Sequence, residues 1–414
     1  MKEGKSFEIS RHQVLEAYKR VKANHGAPGI DGISCTEFEK GWKNNLYKLW
    51  NRMSSGSYFP SAVKGVEIPK KSGGTRLLGI PTLFDRVAQM VVRMNFEPLV
   101  EPVFLDGSYG YRPNRSAIDA VGITRQRCWK MPWVVEFDIK GLFDNIDHEL
   151  MVKAVRAHTE SKWVILYIER FLKAKLVMPD GTVQERHSGT PQGGVISPVL
   201  ANLFMHYAFD RWITTNFPHN PWCRYADDGI AHCRSKEEAE RLVEKLQKRM
   251  LECKLEIHPE KTRIVYCRSD KYPERHEYES FDFLGYTFRR RWVKSKAGNF
   301  FNGFTPAVSR SAGQRLRESI REIRMNNKMV PLEELAEIMN PVIRGWANYF
   351  SEFGASEARK VLDYVNLTLV RWVRFKYKSV GRSEGKAFRS LARRAKAEPN
   401  LFYHWQMGIR PTIG

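Results

Sequence analysis

No stretch of the 414 residues approaches the run of about 18 apolar side chains that a membrane-spanning helix needs, and the opening Met1-Lys2-Glu3-Gly4-Lys5 is polar where an export signal would be apolar. The expectation is a soluble, cytoplasmic protein with no membrane partner. No CxxC pair occurs among Cys35, Cys128, Cys223, Cys233, Cys253 and Cys267, which argues against a zinc ribbon or disulfide framework and for reduced, buried thiols. No internal repeat, low-complexity block or Pro/Ser-rich linker marks a domain border. Acidic residues are in deficit: 46 Asp and Glu face 68 Lys and Arg, a net charge of +22 that points to a polyanionic partner such as nucleic acid. With 42% hydrophobic and 12% aromatic residues, the chain can bury a core, so wholesale disorder is excluded.

The positive charge is uneven. From Arg289 onward 25 Lys and Arg face 10 Asp and Glu, so the last third holds most of the excess. That region reads helical near Ser309 to Met325, Pro331 to Phe350 and Ser356 to Lys378, because apolar residues recur at three- and four-residue steps. Leu362, Val365, Leu369, Trp372 and Val373 form one stripe, with Arg and Lys fanned around the remaining faces.

The middle of the chain alternates short strands with helices. Trp133 to Ile139 is β-rich and stops at Gly141, and a helical pattern starts at Asp147. Pro221 to Tyr225 and Gly229 to Cys233 read as a hairpin around Ala226-Asp227-Asp228, with Asp-Gly expected at the turn. Ser235 and Glu238 suggest a capping box for a helix that buries Leu242, Val243, Leu246 and Met250. Val66 to Lys70 and Arg76 to Ile80 flank a Gly-Gly tip as a further hairpin. Ser197-Pro198 reads as the N-cap and first residue of another helix.

Adjacent carboxylates on a hairpin between apolar strands repel one another and ionise together most readily around a divalent cation. Magnesium prefers carboxylate oxygens combined with substrate phosphates. Asp138, inside the apolar strand, is a second carboxylate that needs a partner. If the two strands are neighbours, Asp138 and Asp227 can flank a pair of ions about 4 Å apart, as phosphoryl transfer requires. Taken alone, either feature is as well explained by an ordinary turn or strand.

Order along the chain adds to these local readings. Phe137-Asp-Ile-Lys-Gly-Leu-Phe-Asp144 is followed by Thr190-Pro-Gln-Gly-Gly-Val-Ile-Ser-Pro198, Tyr225-Ala-Asp-Asp228, Pro259-Glu-Lys-Thr262 and Phe283-Leu-Gly-Tyr286. The series resembles the reverse transcriptases, and in particular the bacterial group II intron reverse transcriptase/maturase family. Gly26-Ala-Pro-Gly-Ile-Asp-Gly32, Ile68 to Arg76, Gly79-Ile-Pro-Thr82, Tyr109-Gly-Tyr-Arg-Pro113 and Asn340 to Phe350 extend the resemblance over about residues 10 to 380. The absence of CxxC pairs makes it closest to compact members without an HNH endonuclease.

The resemblance implies an α+β protein of right-hand polymerase architecture, with fingers, a palm carrying an antiparallel sheet, and a helical thumb. It implies an N-terminal extension and fingers over 1–125, a palm over 126–288, and a basic thumb or maturase region over 289–414. It assigns catalysis to Asp138, Asp227 and Asp228 and metal binding to Asp138, Ile139, Asp227 and Asp228, with two Mg²⁺ ions or Mn²⁺ as cofactor. It places Lys70, Arg76, Phe143, Gln192 and Lys261 at the incoming dNTP: Phe143 as a gate against the ribose 2′-OH, Lys261 as a proton donor to pyrophosphate. Phe283, Leu284, Gly285 and Tyr286 match the primer grip. Asp31 belongs to an N-terminal lid or simply to a turn, and Trp346, Tyr349 and Phe350 read as bundle core rather than base-stacking platforms.

The implied function is RNA-directed DNA synthesis from a DNA or RNA primer in the bacterial cytoplasm, with binding of a structured intron RNA for splicing and retrohoming. Two alternatives stand beside it: a domesticated enzyme of DNA repair or phage defence, and an RNA-binding splicing factor alone.

Overall fold

The computed structural model describes residues 6–69, 75–295, 297–377, 380 and 383–411. Its strands in chain order are β1 (Val63–Pro69), β2 (Thr75–Ile80), β3 (Trp133–Asp138), β4 (Leu176–Val177), β5 (Val183–Gln184), β6 (Trp222–Tyr225), β7 (Asp228–Cys233), β8 (Arg263–Tyr266), β9 (Ser280–Phe283), β10 (Tyr286–Lys294) and β11 (Phe300–Val308). They form three sheets, ordered β2-β1-β4-β5, β6-β7-β3-β8 and β11-β10-β9. The chain divides into two compact units. One comprises Met1–Ser116, Val135–Ala231 and Lys236–Arg263, and the other Ala117–Val134, His232–Ser235 and Ile264–Gly414.

In the first unit the expected hairpin of β1 and β2 is antiparallel from Lys64↔Ile80 to Pro69↔Thr75. Residues 70–74, including Lys70 and Lys71, lie outside the described residues. Helix Leu83–Val100 follows, its N-terminus capped by the Thr82 hydroxyl, and Val87, Ala88, Val91, Val92 and Phe96 are fully buried. Asp31 accepts a hydrogen bond from the Ile33 N–H at 3.2 Å, the turn role that the sequence allowed.

Two local expectations are corrected. The hairpin between β6 and β7 pairs Tyr225 with Asp228, so its turn is Ala226-Asp227 and not Asp228-Gly229. Gly229 is needed elsewhere: a Cβ there would stand 2.0 Å from the Phe137 ring, so the glycine lets β3 pack against the hairpin. Ser197 does not cap its helix. The helix runs Ser197–Met205 with Ile196 at the cap position, and the Ser197 hydroxyl donates instead to the Pro191 carbonyl at 2.8 Å.

The second unit carries helices Arg310–Asn326, Leu332–Phe350, Ala355–Lys376 and Glu384–Ala397. The first three lie within two residues of their sequence-based bounds, and Ser309 caps the first. Their apolar faces, with Ile320, Met339, Leu369, Trp372, Phe402 and Trp405, make one buried core. Pro341 stands inside the second helix, Leu332–Phe350, which continues through it without a restart. Buried Met339 and Ile343 hold the segment on either side, so core packing overrides the lost backbone hydrogen bond. Phe350 is buried and Trp346 packs on the core, which agrees with their reading as bundle side chains.

Candidate active site

Val134, Val135 and Phe137 bury β3 on both faces and carry Asp138 to the strand end, where it is 7% exposed. The Ile139 N–H donates to the Asp227 carbonyl at 3.3 Å, which brings the tip of the β6–β7 hairpin beside Asp138. The His258 N–H donates to the Asp138 carbonyl at 2.8 Å and fixes the other side. Ile139 is 1% exposed and its N–H is engaged, so any part it takes in holding an ion falls to its carbonyl oxygen.

Three carboxylates therefore share one spot within the first unit. Burial raises the Asp227 pKa, and the charge of Asp138 raises it further. Asp228 opens to solvent on one side, but protein crowds the rest. Burial, then the charges of Asp227 and Asp138, push its pKa up to about 7. Lys261 answers this charge: its ammonium donates to Asp138 Oδ2 at 2.5 Å. Burial alone would lower the Lys261 pKa, but that hydrogen bond and the field of the three carboxylates raise it overall.

Among the described residues no three His, Cys, Asp or Glu side chains stand as a preformed metal cage. The chemistry of the donor set nevertheless fits a hard divalent cation: oxygen ligands, several negative charges forced together, and the Lys261 ammonium in partial compensation.

The hairpin tip is held from below by a network that sequence reasoning missed. Arg224 of β6 and Asp210 are both fully buried and form a forked ion pair, with Nε and Nη2 each 2.8 Å from a carboxylate oxygen. Arg224 also donates to Asn202 Oδ1 at 3.2 Å, Ser108 Oγ at 2.9 Å and the Ala226 carbonyl at 3.0 Å. Asp210 ends a π-helical turn, His206–Asp210, between two α-helices, a local widening common near functional sites. Ala226 has φ of +58°, a left-handed conformation that costs a non-glycine residue energy and that this network sustains. The Tyr109-Gly-Tyr motif abuts the same turn, because a Cβ on Gly110 would meet the Ala226 nitrogen at 2.6 Å. Tyr111 lies against Tyr225, ring centroids 5.9 Å apart. A lone Arg in a strand and an Asp at a helix end carry no signal of this pairing in sequence.

The nucleotide-side candidates also converge. Arg76 Nε donates to Gln192 Oε1 at 2.6 Å, and Gln192 Nε2 donates to Asp144 Oδ2 at 2.9 Å. The Gly79 N–H donates to the Gln192 carbonyl at 3.2 Å, and Gly193, at φ of +141°, sits where a Cβ would be 2.4 Å from the Gly79 oxygen. That contact gives the Pro-Gln-Gly-Gly sequence its glycine. Phe143 is half-buried, in the turn of helix Leu142–Asn145, and its carbonyl accepts from the Thr190 N–H at 2.7 Å. An open pocket of about 370 Å³ beside these residues is lined by Gly79, Asp144, Gln192 and also by Arg186, which the sequence reading did not single out.

In the second unit β9 and β10 meet at a two-residue turn, Leu284-Gly285, with φ of +51° and +83°. Phe283 and Tyr286 are buried: Tyr286 packs against Tyr349, Phe350 and Phe353, and its hydroxyl donates to the Tyr349 carbonyl. Of the four expected primer-grip residues, Leu284 and Gly285 alone are partly accessible.

Comparison with known proteins identifies the family. Residues 68–288 match the family described as reverse transcriptase (RNA-dependent DNA polymerase). The chain belongs to the reverse transcriptase family. This reverse transcriptase also carries, over residues 313–390, a match to the group II intron maturase-specific domain. It is 30% identical over 322 residues to Protein YkfC of Escherichia coli strain K12, covering 67% of this chain and 80% of that protein. It is 37% identical over 191 residues to the group II intron-encoded protein LtrA of Lactococcus lactis subsp. cremoris, covering 46% of this chain and 32% of LtrA. The right-hand polymerase fold follows from the family, which generally uses divalent metal ions and acts on nucleic acid. Among the described residues no helix is long and apolar enough to cross a membrane.

Proposed function

We propose that the protein extends a primer 3′-OH with dNTPs on an RNA template, using two magnesium ions, with manganese as a substitute. The convergence of Asp138, Asp227 and Asp228 supports this reading most strongly, through the Ile139-to-Asp227 backbone bond and the mutual field that lifts Asp228. These carboxylates, with the Ile139 carbonyl, are the groups that would hold the ions. The bound metal would supply Lewis-acid stabilisation of the entering and leaving oxygens.

The chain's own residues do the rest. Arg76 and Gln192, already bonded to each other, present a guanidinium and an amide to triphosphate and sugar. The family resemblance gives Lys70, outside the described residues, the same task. Lys261 keeps its proton at neutral pH and is the donor to departing pyrophosphate. Phe143 sits as the gate against a 2′-OH, and the Phe283 to Tyr286 turn offers backbone to the primer end. The division into an N-terminal extension with fingers over 1–125, palm over 126–288 and thumb over 289–414 belongs to this proposal.

Primer extension on an RNA template, with and without Mg²⁺, tests it. Asp227→Ala is expected to abolish extension while leaving the circular dichroism spectrum intact, and Phe143→Ala to admit ribonucleotides. Wild-type extension rates in Asp227→Ala would remove the reading.

A second activity, assistance to splicing of a group II intron RNA, is favoured by the maturase-specific match over residues 313–390 and the basic charge concentrated there. RNA binding that persists in Asp227→Ala and falls steeply with salt would support it. The RNA template, DNA or RNA primer, intron RNA and a bacterial cytoplasmic location are parts of the same proposal.

A further inference from the structure

The hairpin of β10 and β11 exposes what a hairpin normally covers. Trp292 is 65% exposed and Phe300 is 56% exposed, yet the two rings stack on each other, centroids 5.9 Å apart and planes 8° from parallel. The register pairs Trp292 with Asn302 and Lys294 with Phe300, so Arg290, Trp292, Lys294, Phe300 and Asn302 share one face. Lys294 Nζ lies 5.6 Å from the Phe300 ring centroid. Asp270 anchors this face at one end, accepting from Arg290 at 3.1 Å and from Asn302 at 3.1 Å. Lys294 is exposed, and Asp270 is the acidic group engaged on this face.

A cross-strand stack strengthens a hairpin, but that purpose is served as well by aliphatic pairs and does not call for cations around the rings. Flat aromatic faces open to solvent and flanked by positive charge match the two features of an unpaired nucleic-acid strand, a π-face on each base and a phosphate on each linkage. Lys294 beside the Phe300 ring supplies the positive charge that a phosphate linkage calls for.

The geometry points to a binding site for unpaired nucleobases on this hairpin, with Trp292 and Phe300 as the stacking platform and Lys294 as a phosphate contact. This rests on the proposed nucleic-acid function, and it adds a site that the carboxylate centre does not require.

The test uses the full chain with an unstructured oligonucleotide of about 12 nucleotides carrying 5-iodouridine, as RNA and as DNA. Photo-cross-linking followed by peptide mapping is expected to mark Trp292 or Phe300. In Trp292→Ala/Phe300→Ala, the cross-link is expected to vanish and the affinity to fall about tenfold. Trp292→Phe/Phe300→Tyr, which keeps both rings and guards against misfolding, is expected to retain binding. Whichever strand cross-links is the one the platform takes, and marking by both means that it reads bases and not sugars.

The same loss of affinity for an abasic oligonucleotide of equal charge would overturn the proposal, as would cross-links confined to other peptides with unchanged affinity. Primer extension by the wild type runs alongside. Extension without a hairpin cross-link sinks this site alone, whereas a cross-link without extension sinks the polymerase reading alone.

Discussion

Asp228 sits at a cost to the fold. Its pKa is raised to about 7, chiefly by burial and then by Asp227 and Asp138, so the folded state binds its proton more tightly than the unfolded chain does. The contribution to stability is therefore complete below the ordinary carboxylate range and is lost as pH rises through about 7. In metal-free buffer at about pH 8, Asp228→Asn should melt above the wild type, and the gap should close towards about pH 5. Differential scanning calorimetry at the two pH values reads this, and a variant that melts lower at both would contradict it. Arg224 makes the opposite case. Arg224→Met leaves Asp210 buried and unpaired, which costs about 3–5 kcal/mol, while the double change Arg224→Met/Asp210→Leu should recover most of that loss in urea unfolding. An additive loss in the double variant would show that the pair is not a closed unit. The acidic residues were legible in sequence because a charge among apolar neighbours announces itself. Arg224 and Asp210 were not, because their pairing depends on a π-helical turn that no residue pattern signals.

At the scale of elements, strands and helices with strong periodicity were readable, and their junctions were not. The Asp-Gly pair after Tyr225 suggested the turn, but Phe137 packing across the sheet claims Gly229 for clearance, and the turn moves to Ala226-Asp227 at the price of a left-handed alanine. The short helix Tyr403–Gln406 and the helix Glu384–Ala397 were not foreseen. The first carries His404, fully buried beside Asn366, whose Oδ1 lies 2.9 Å from the ring Nε2 and also accepts from the Trp405 indole at 2.8 Å. Burial lowers the His404 pKa from 6.5 to about 3, so the unfolded chain takes up the proton first. Its contribution is full above about 6.5 and drains as pH falls towards 3. Relative to His404→Gln, the wild type should lose stability between about pH 7.5 and pH 5, measured as the difference in urea midpoint, and a constant difference would refute the assignment.

For the whole molecule, order along the chain carried more information than any single motif. The collinear blocks point to the fold and the family, and the matches over residues 68–288 and 313–390 agree with both. What order could not show is how Lys261 closes on Asp138, how Gln192 links Arg76 to Asp144, or that Tyr286 faces inward, since each depends on side chains meeting across long separations. The central claim is that Asp138, Asp227 and Asp228 act as one metal-holding centre. Electron paramagnetic resonance of Mn²⁺ bound to the full chain, with a non-extendable primer on RNA and a dNTP, tests it most directly. A spin-coupled pair of ions is expected in the wild type, with loss of that coupled signal in Asp227→Asn. An identical signal in both proteins would contradict it.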